Sequence, residues 1–160
     1  MSARLMLAAA IALGLSPLVH AEATPPMQEA VAANPLLQAS PLEFQFPPFD
    51  QLKDAHYAPA IEQGMREQLA EVEAIAHQKD APTFDNTIVA LEKTGTLYYR
   101  ATAVFFNLAG TVTNDAMNKV RADVAPKLAA HLDAILLNDA LFQRVKSLYD
   151  RRAELKLDAE

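Results

Sequence analysis

The chain has 160 residues, of which 51% are hydrophobic, so it suits one globular domain and leaves no room for two large ones. Its formal net charge of −6, without any cluster of basic residues, argues against nucleic-acid binding, which needs Lys and Arg concentrated on one face. The absence of cysteine excludes disulfides, thiolate metal sites and cysteine nucleophiles together. With 4 glycines, no tryptophan and abundant alanine and leucine, the composition favours helices over sheets.

Residues 1–21 predict a signal peptide for export. Arg4 supplies a positive charge, residues 5–15 form an apolar run, and Val19 and Ala21 place small residues where a signal peptidase cleaves. The run is too short to span a bilayer, which needs about 20 apolar residues; a buried N-terminal helix is the alternative interpretation. We expect cleavage after Ala21, a periplasmic location and no membrane association after cleavage. The loss of Arg4 would leave 13 basic and 20 acidic residues, a net charge of −7.

Residues 22–50 are rich in proline, which fixes its own φ and biases the preceding residue away from helix. The sequence therefore predicts an extended, irregular segment. It is too apolar for a free tail, because it contains Phe44, Phe46 and Phe49. We expect these three phenylalanines to lie across a folded surface of the same protein. A proline-rich ligand for a separate recognition domain is the alternative.

Residues 51–160 predict an all-α domain, an antiparallel array of about four helices, because apolar residues recur three and four positions apart. The expected helices span residues 54–78, 85–110, 115–137 and 139–154. We expect the regular part of the first helix to begin near Tyr57, because Pro59 is tolerated only in the first turn. Pro126 predicts a kink in the third helix rather than two separate helices, since the periodicity crosses the proline in phase.

The stretch from Phe84 to Gly110 has the longest uninterrupted apolar periodicity and predicts the central helix. Gly95 costs about 1 kcal/mol relative to alanine inside a helix, so a small residue there indicates that a neighbouring helix comes close. The stripe expected on this helix is Ile88, Leu91, Gly95, Tyr98, Thr102, Phe105 and Ala109, widened by Val104 and Leu108. On the first helix the inward residues are expected to be Ile61, Met65, Leu69, Val72 and Ala76. On the third they are expected to be Met117, Val120, Val124, Leu128, Leu132, Ile135 and Leu136. On the fourth they are expected to be Leu141, Phe142, Val145, Leu148 and Tyr149.

No motif for a metal centre occurs in the 160 residues. A His-Glu-x-x-His sequence, which places two zinc ligands on one helical face, is absent. His56 and His77 are separated by about 30 Å along one expected helix, at about 1.5 Å per residue, so they cannot share a metal. His131 stands alone on the third helix. We therefore predict that this chain binds no metal or other cofactor.

No catalytic constellation is visible either. Glu67 and Glu71 share a helical face, but we expect that face to be solvated, whereas Glu73 points elsewhere than Glu71. Ser40 and Ser147 lack the Gly-x-Ser-x-Gly context of a serine nucleophile. We therefore predict no catalytic residue in the chain.

For two groups of side chains, a functional role is an alternative to the expected structural one. His56 and Tyr57 are expected to form a helix-entry packing and hydrogen-bonding device; a direct substrate or metal role is the alternative. The aromatic residues of the central stretch are expected to be chiefly core at helical spacing: Tyr98, Tyr99, Phe105 and Phe106. Tyr99 and Phe106 lie off the main stripe, so they are candidates to face a partner or another domain.

The mature chain contains, in order, the segments NPLL, FPPFDQLKDAHYAPAIEQG, APTFDNTIVALEKTG, FFNL, ND and HLDAILLNDALFQRVKSLYDRRAELKLDAE. In order and spacing this series resembles the N-terminal region of bacterial peptidyl-dipeptidases, which belong to the thimet oligopeptidase family of zinc metallopeptidases. The resemblance covers residues 34–160. The leader fits the exported subgroup.

The resemblance implies an all-helical fold whose N-terminal helices form part of one wall of a deep channel that admits short peptides. It implies an enzyme that releases dipeptides from peptide C-termini, with zinc held by an HExxH motif and a further glutamate in the C-terminal half of a longer chain. Those elements lie outside residues 1–160, so zinc and a catalytic domain are expected in a full-length relative and no residue role is carried over. Tyr99, Phe106 and Asn107 become candidates to contact missing protein or the peptide channel.

Two functions remain open. In the first, residues 51–160 are the helical N-terminal part of a larger metallopeptidase, inactive alone and meeting short peptides only within the complete enzyme. In the second, the chain is a free-standing periplasmic helical module that binds peptides or proteins. Residues 158–160 resemble the start of a further helix, with an acidic cap and first turn, and this favours the first function.

Overall fold

The computed structural model describes residues 34–155, and the secondary structure within this range is all-α, as predicted. Four long helices are present there: α1 (Asp54–Ala76), α3 (Thr96–Thr111), α4 (Asp115–Leu136) and α5 (Asp139–Asp150). A π-helical segment (Phe84–Val89) and a short helix, α2 (Ala90–Glu92), lie between α1 and α3. Three 3-10 turns precede α1, at Pro35–Leu37, Glu43–Gln45 and Phe49–Gln51. Residues 1–33, with the expected signal peptide and the first part of the proline-rich segment, lie outside the described residues.

Helix α1 occupies the centre of the fold, because it packs against α3, α4, α5 and the first 3-10 turn. It runs antiparallel to α3: the rings of Tyr57 and Phe105 lie 5.3 Å apart near one end, and Glu71 accepts a hydrogen bond from the Gly95 amide at the other. It runs parallel to α4, as four side-chain contacts show: Asp54 with Asn114, Glu62 with Lys127, Gln68 with His131, and Glu73 with Asn138. The prediction that the 85–110 stretch is the central helix is therefore wrong.

The prediction of one continuous helix over residues 85–110 is also wrong, because the chain breaks at Thr94 and Gly95. The Thr94 hydroxyl donates to the Leu91 carbonyl at 2.8 Å, which satisfies the end of α2. Gly95 then takes a left-handed conformation, with φ of 76°, before α3 begins. The apolar spacing continues across the break, since periodicity does not register the backbone conformation of a single residue.

Two glycines permit the close approach of α1 and its neighbour. A Cβ atom added at Gly64 would lie 2.6 Å from the backbone nitrogen and Cα of Tyr98, far inside a normal contact. At Gly95 the positive φ favours glycine, and a Cβ there would lie 2.5 Å from the side chain of Gln68. The expectation of close packing at Gly95 is confirmed. The closest backbone approach, however, is at Gly64.

The apolar core has two parts, which α1 joins. The larger part lies where α1 meets α3 and the first half of α4, around the fully buried residues Ala60, Ile61, Ala101, Phe105 and Val124. The smaller part lies where the second half of α1 meets α5. Its buried members are Val72, Ile75, Ala76 and Leu141.

Several expected core positions are instead exposed. On α4, Leu132 and Leu136 are 54% and 67% exposed, and His131 is buried in their place. On α5, Phe142 and Tyr149 are 56% and 62% exposed. Helix α4 packs mainly against α1, and α5 packs against α1 and the π-helical segment, so only a narrow stripe of each is covered. On α3 the buried line runs through Leu97, Ala101, Val104, Phe105 and Ala109, and the expected Tyr98 and Thr102 are half-buried at its edge.

Both helices that contain a proline are continuous. Helix α4 passes through Pro126 as one element, as expected, and the kink at that proline stays a prediction. Helix α1 begins at Asp54, as predicted, and it is regular from there with Pro59 inside it, whereas the regular part was expected to begin only near Tyr57. The reason is local: His56 Nδ1 accepts a hydrogen bond from the Lys53 amide at 3.2 Å, which fixes the first turn ahead of the proline.

Residues 34–53 pack on their own protein, but not through the phenylalanines. Leu36 is 2% exposed, and the Arg100 guanidinium donates two hydrogen bonds to its carbonyl, at 2.9 and 3.2 Å. Phe44 is 94% exposed and Phe46 is 60% exposed, which contradicts the prediction that they cover a folded surface. Phe46 packs edge-on against Phe49, with ring centroids 5.5 Å apart.

Candidate functional site

The most distinctive exposed surface is the outer side of α3, here called the α3 outer face and formed by Tyr99, Ala103, Phe106, Asn107 and Gly110. These residues recur three and four positions apart, and all five are exposed. None is charged, and the one charged residue of α3, Arg100, is bound to the Leu36 carbonyl. A solvent-facing helix normally carries charges on this side, so this face is unusual.

The two rings of the α3 outer face are held by aromatic neighbours. The Tyr99 ring lies edge-on to Tyr98, with centroids 5.2 Å apart, and the Phe106 ring lies edge-on to Phe105 at 5.0 Å. Tyr99 remains 59% exposed and Phe106 42% exposed. The expectation that both rings point away from the core is confirmed. What they contact stays a prediction.

A second exposed apolar surface lies where α4 turns into α5, here called the α4–α5 corner and formed by Leu132, Leu136, Leu137 and Phe142. Leu137 is 77% exposed, more than any of the other three. Sequence reasoning assigned three of these residues to the core and did not identify the corner. Apolar periodicity alone does not distinguish a leucine that stays exposed from one that is buried.

A cleft of about 410 Å³ opens between α1 and α4. Its walls combine apolar and charged side chains: Glu62, Met65, Arg66, Leu69, Lys127, Ala130 and His131. Lys127 and Glu62 form an ion pair across it. His131, which is 5% exposed, also lines it, and its ring packs at a tilt on the Tyr98 ring, with centroids 4.8 Å apart.

His131 belongs to a chain of buried hydrogen bonds that we call the buried relay, formed by His131, Gln68 and Thr94. His131 Nε2 lies 2.8 Å from Gln68 Oε1, and Gln68 Nε2 donates to Thr94 Oγ1 at 3.3 Å. Burial lowers the pKa of His131 below its ordinary value of 6.5. The relay ties α1 and α4 to the break in the chain at Gly95.

The histidines do not assemble a metal centre. His56 is buried at the start of α1, where its pKa is lowered by burial and then by the nearby Lys53 ammonium. His77 is exposed just after the end of α1, with its Nδ1 atom 3.0 Å from a carboxylate oxygen of Glu73. Within residues 34–155, no three His, Cys, Asp or Glu side chains come close enough to hold an ion. These residues do not fit a zinc site.

The carboxylates and hydroxyls considered from the sequence have separate structural roles. Glu71 accepts a hydrogen bond from the Gly95 amide at 2.7 Å, and Glu67 accepts one from Gln63. The Ser40 hydroxyl donates to the Phe46 carbonyl at 2.6 Å. The Ser147 hydroxyl donates to a carbonyl in the preceding turn of α5, that of Arg144. The structure does not bring any of them together as an acid–base or nucleophile–base pair.

Arg144 was missed in the sequence, where it reads as a surface charge. It is 7% exposed, and its guanidinium donates to the carbonyls of Gln78 and Asp80 and to the side chain of Asn86. It therefore fastens the loop between α1 and the π-helical segment to α5. Arg151 adds a further hydrogen bond to this loop.

None of the helices within residues 34–155 is long and apolar enough to cross a membrane. No family model matches the sequence. The chain is 43% identical over 130 residues to a dipeptidyl carboxypeptidase of Salmonella typhimurium strain LT2, a match that covers 81% of this chain and 19% of that protein. It is 42% identical over 127 residues to a dipeptidyl carboxypeptidase of Escherichia coli strain K12, a match that covers 79% of this chain and 19% of that protein. The chain thus spans about a fifth of the length of these relatives, and they support kinship with peptidyl-dipeptidases over that part.

Proposed function

We propose that this chain is part of a periplasmic peptidyl-dipeptidase of the thimet oligopeptidase family, contributes to the wall of its peptide channel, and is inactive without the catalytic domain. The two identities above 40% support the enzyme class. In this proposal the complete enzyme releases dipeptides from the C-termini of short peptides. Its zinc would be held by an HExxH motif and a further glutamate supplied by other protein.

The observation that carries the wall role is the α3 outer face. A wall that passes peptides of varied sequence must contact backbone and side chains without favouring one charge. Aromatic rings give apolar contact to many side chains, and the Asn107 amide can both donate to and accept from a peptide backbone. A face with two oriented rings, an amide and no charge meets this requirement.

The alternative function, a free-standing periplasmic binding module, also has structural support. The larger core is complete within residues 34–155, since Ile61, Ala101 and Phe105 are fully buried. A helical unit with its own core can present a binding face without a catalytic domain. In that case the purified chain would bind peptides by itself.

A chimera tests the wall role. Residues 34–155 of this chain would replace the aligned segment of the Salmonella typhimurium relative. We expect the chimera to release dipeptides, and we expect Tyr99→Ser with Phe106→Ser to raise its KM about tenfold, equivalent to about 1.4 kcal/mol of lost binding. The matched control is Lys119→Ser with Asp123→Ser, which removes an exposed pair from α4 and should leave KM unchanged.

The outcomes separate the possibilities. A folded chimera without activity would contradict the proposal that this chain can serve in such an enzyme. A lower Tm with unchanged KM would assign the outer face to contact with another domain rather than with peptide. Zinc-dependent hydrolysis by the purified chain would refute its inactivity, and tight peptide binding by it would favour the free-standing module.

The DNA beyond the codon for Glu160 offers a simple independent test. Translation in three frames should reveal a continuation that carries an HExxH motif. A stop codon followed by unrelated sequence would speak against membership of a longer enzyme.

A further inference from the structure

The direction of hydrogen bonding in the buried relay is fixed by the hydroxyl at its end. Thr94 has one hydroxyl hydrogen, which goes to the Leu91 carbonyl at 2.8 Å, so its oxygen must accept from Gln68 Nε2. Gln68 therefore turns its carbonyl oxygen toward His131, and that oxygen needs a donor. Neutral His131 must accordingly carry its hydrogen on Nε2. Its Nδ1 is then an unprotonated acceptor.

That Nδ1 atom is buried and finds no hydrogen-bond partner within residues 34–155. A second proton would have to bind there, and the described residues 34–155 provide no acceptor for it. Such a buried, unpaired charge is strongly unfavourable. The neutral imidazole is therefore the form that fits the arrangement in which His131 is hydrogen-bonded to Gln68.

The charged groups around the ring do not relieve this cost. From α1, the cleft receives Glu62, already paired with Lys127 of α4, and Arg66, which donates to Gln63 at 2.6 Å. From α3, the ring meets Tyr98, whose pKa is raised by burial and then by the neighbouring Tyr99. Two cations and one carboxylate thus line the cleft with His131.

The cleft gives a protonated ring somewhere to move. It has a volume of about 410 Å³ and is lined in part by His131, so an imidazolium rotated into it would reach water. That movement would break the bond to Gln68. The Gln68 side chain also packs against Gly95, where an added Cβ would lie 2.5 Å from its Cδ. Release of Gln68 therefore loosens the joint between α2 and α3.

We propose that His131 is an acid-operated latch: neutral, it locks the joint at Gly95 through Gln68 and Thr94, and on protonation it swings into the cleft and releases that joint. The latch acts on the start of α3, the helix that carries the outer face. It requires no ligand beyond the proton, and it does not depend on the proposed enzymatic role.

The sign of the pH dependence follows from the lowered pKa of His131. The unfolded chain binds the proton first, near the ordinary value of 6.5, while the folded chain resists it. The stability contributed by the latch is fully present above that value. It is lost as the pH falls from there toward the lowered pKa of the folded state.

Nuclear magnetic resonance of the isotope-labelled 160-residue chain tests the latch. Histidine ring and backbone amide signals would be followed from about pH 8 to about pH 5.5, a range above ordinary carboxylate titration. We expect the His131 ring to titrate below its ordinary value, and the Thr94 and Gly95 amides to shift with the same midpoint. A His131 titration that leaves both amides unmoved would overturn the proposal.

Two variants sharpen the test. His131→Gln keeps a donor toward Gln68 but cannot gain a proton, so the acid-induced shifts at Thr94 and Gly95 should vanish. His77→Gln, at the exposed histidine that follows α1, should leave those shifts intact. Persistence of the shifts in a folded His131→Gln protein would equally overturn the latch; if that variant does not fold, the wild-type titration decides alone.

Discussion

The α1–α3 pair and the α4–α5 corner are both built from apolar helical stripes, yet only the first is closed. Between α1 and α3 the backbones nearly touch at Gly64, and Phe105 is completely buried. At the corner Leu136 and Leu137 are 67% and 77% exposed. The two regions differ in the number of elements that pack on them. Helix α3 packs against both α1 and the proline-rich segment, whereas α4 packs mainly against α1. A stripe is buried only as far as the fold supplies something to cover it.

The largest expected effect distinguishes the two sides of α3. Phe105→Ala should lower the free energy of unfolding by about 3–5 kcal/mol, because it leaves a cavity in the larger core. Phe106→Ala, one residue on, should cost less than about 1 kcal/mol, since its ring is 42% exposed. Urea denaturation followed by circular dichroism would measure both. Similar losses for the two variants would show that the outer face is structural.

The same contrast can be drawn at the corner. Leu141→Ala should cost about 2–5 kcal/mol, because Leu141 is 5% exposed within the smaller core. Leu136→Ala should change stability by less than about 0.5 kcal/mol. A large loss at Leu136 in the same denaturation experiment would mean that the isolated chain covers the corner, for example by self-association, and light scattering at several concentrations would then reveal it.

The helical content and the structural role of His56 could be predicted from the sequence, because periodicity and capping residues are local signals. The break at Gly95 could not, since the side-chain spacing stays in phase while one residue changes backbone conformation. The burial of His131 and Arg144 could not be predicted, because their hydrogen-bond partners, Gln68 and Asp80, are distant in the sequence. The outer face was identified in part: Tyr99 and Phe106 fall off the apolar stripe, and the structure exposes both.

A smaller effect is expected at Gly64, where α1 and α3 approach most closely. Gly64→Ala should destabilise the fold by about 1–3 kcal/mol, because the new methyl group would press on the rigid backbone of Tyr98. Gly110→Ala is the matched control, with no atom within 4 Å of the added Cβ, and should be neutral or stabilising by up to about 1 kcal/mol. Equal effects at the two glycines in thermal unfolding would argue against the close approach.

The smallest effect concerns the start of α1, where polar contacts replace the apolar packing of its middle. Burial and then Lys53 lower the pKa of His56, so the stability it contributes is complete above 6.5 and is lost as the pH falls toward the lowered value. Asparagine can present an oxygen near the position of Nδ1 without titrating. His56→Asn should therefore stay within about 1 kcal/mol of the wild type at neutral pH, but lose less stability on acidification. Urea denaturation above and below 6.5 would compare the two proteins, and equal acid losses would show that His56 does not carry this part of the pH dependence.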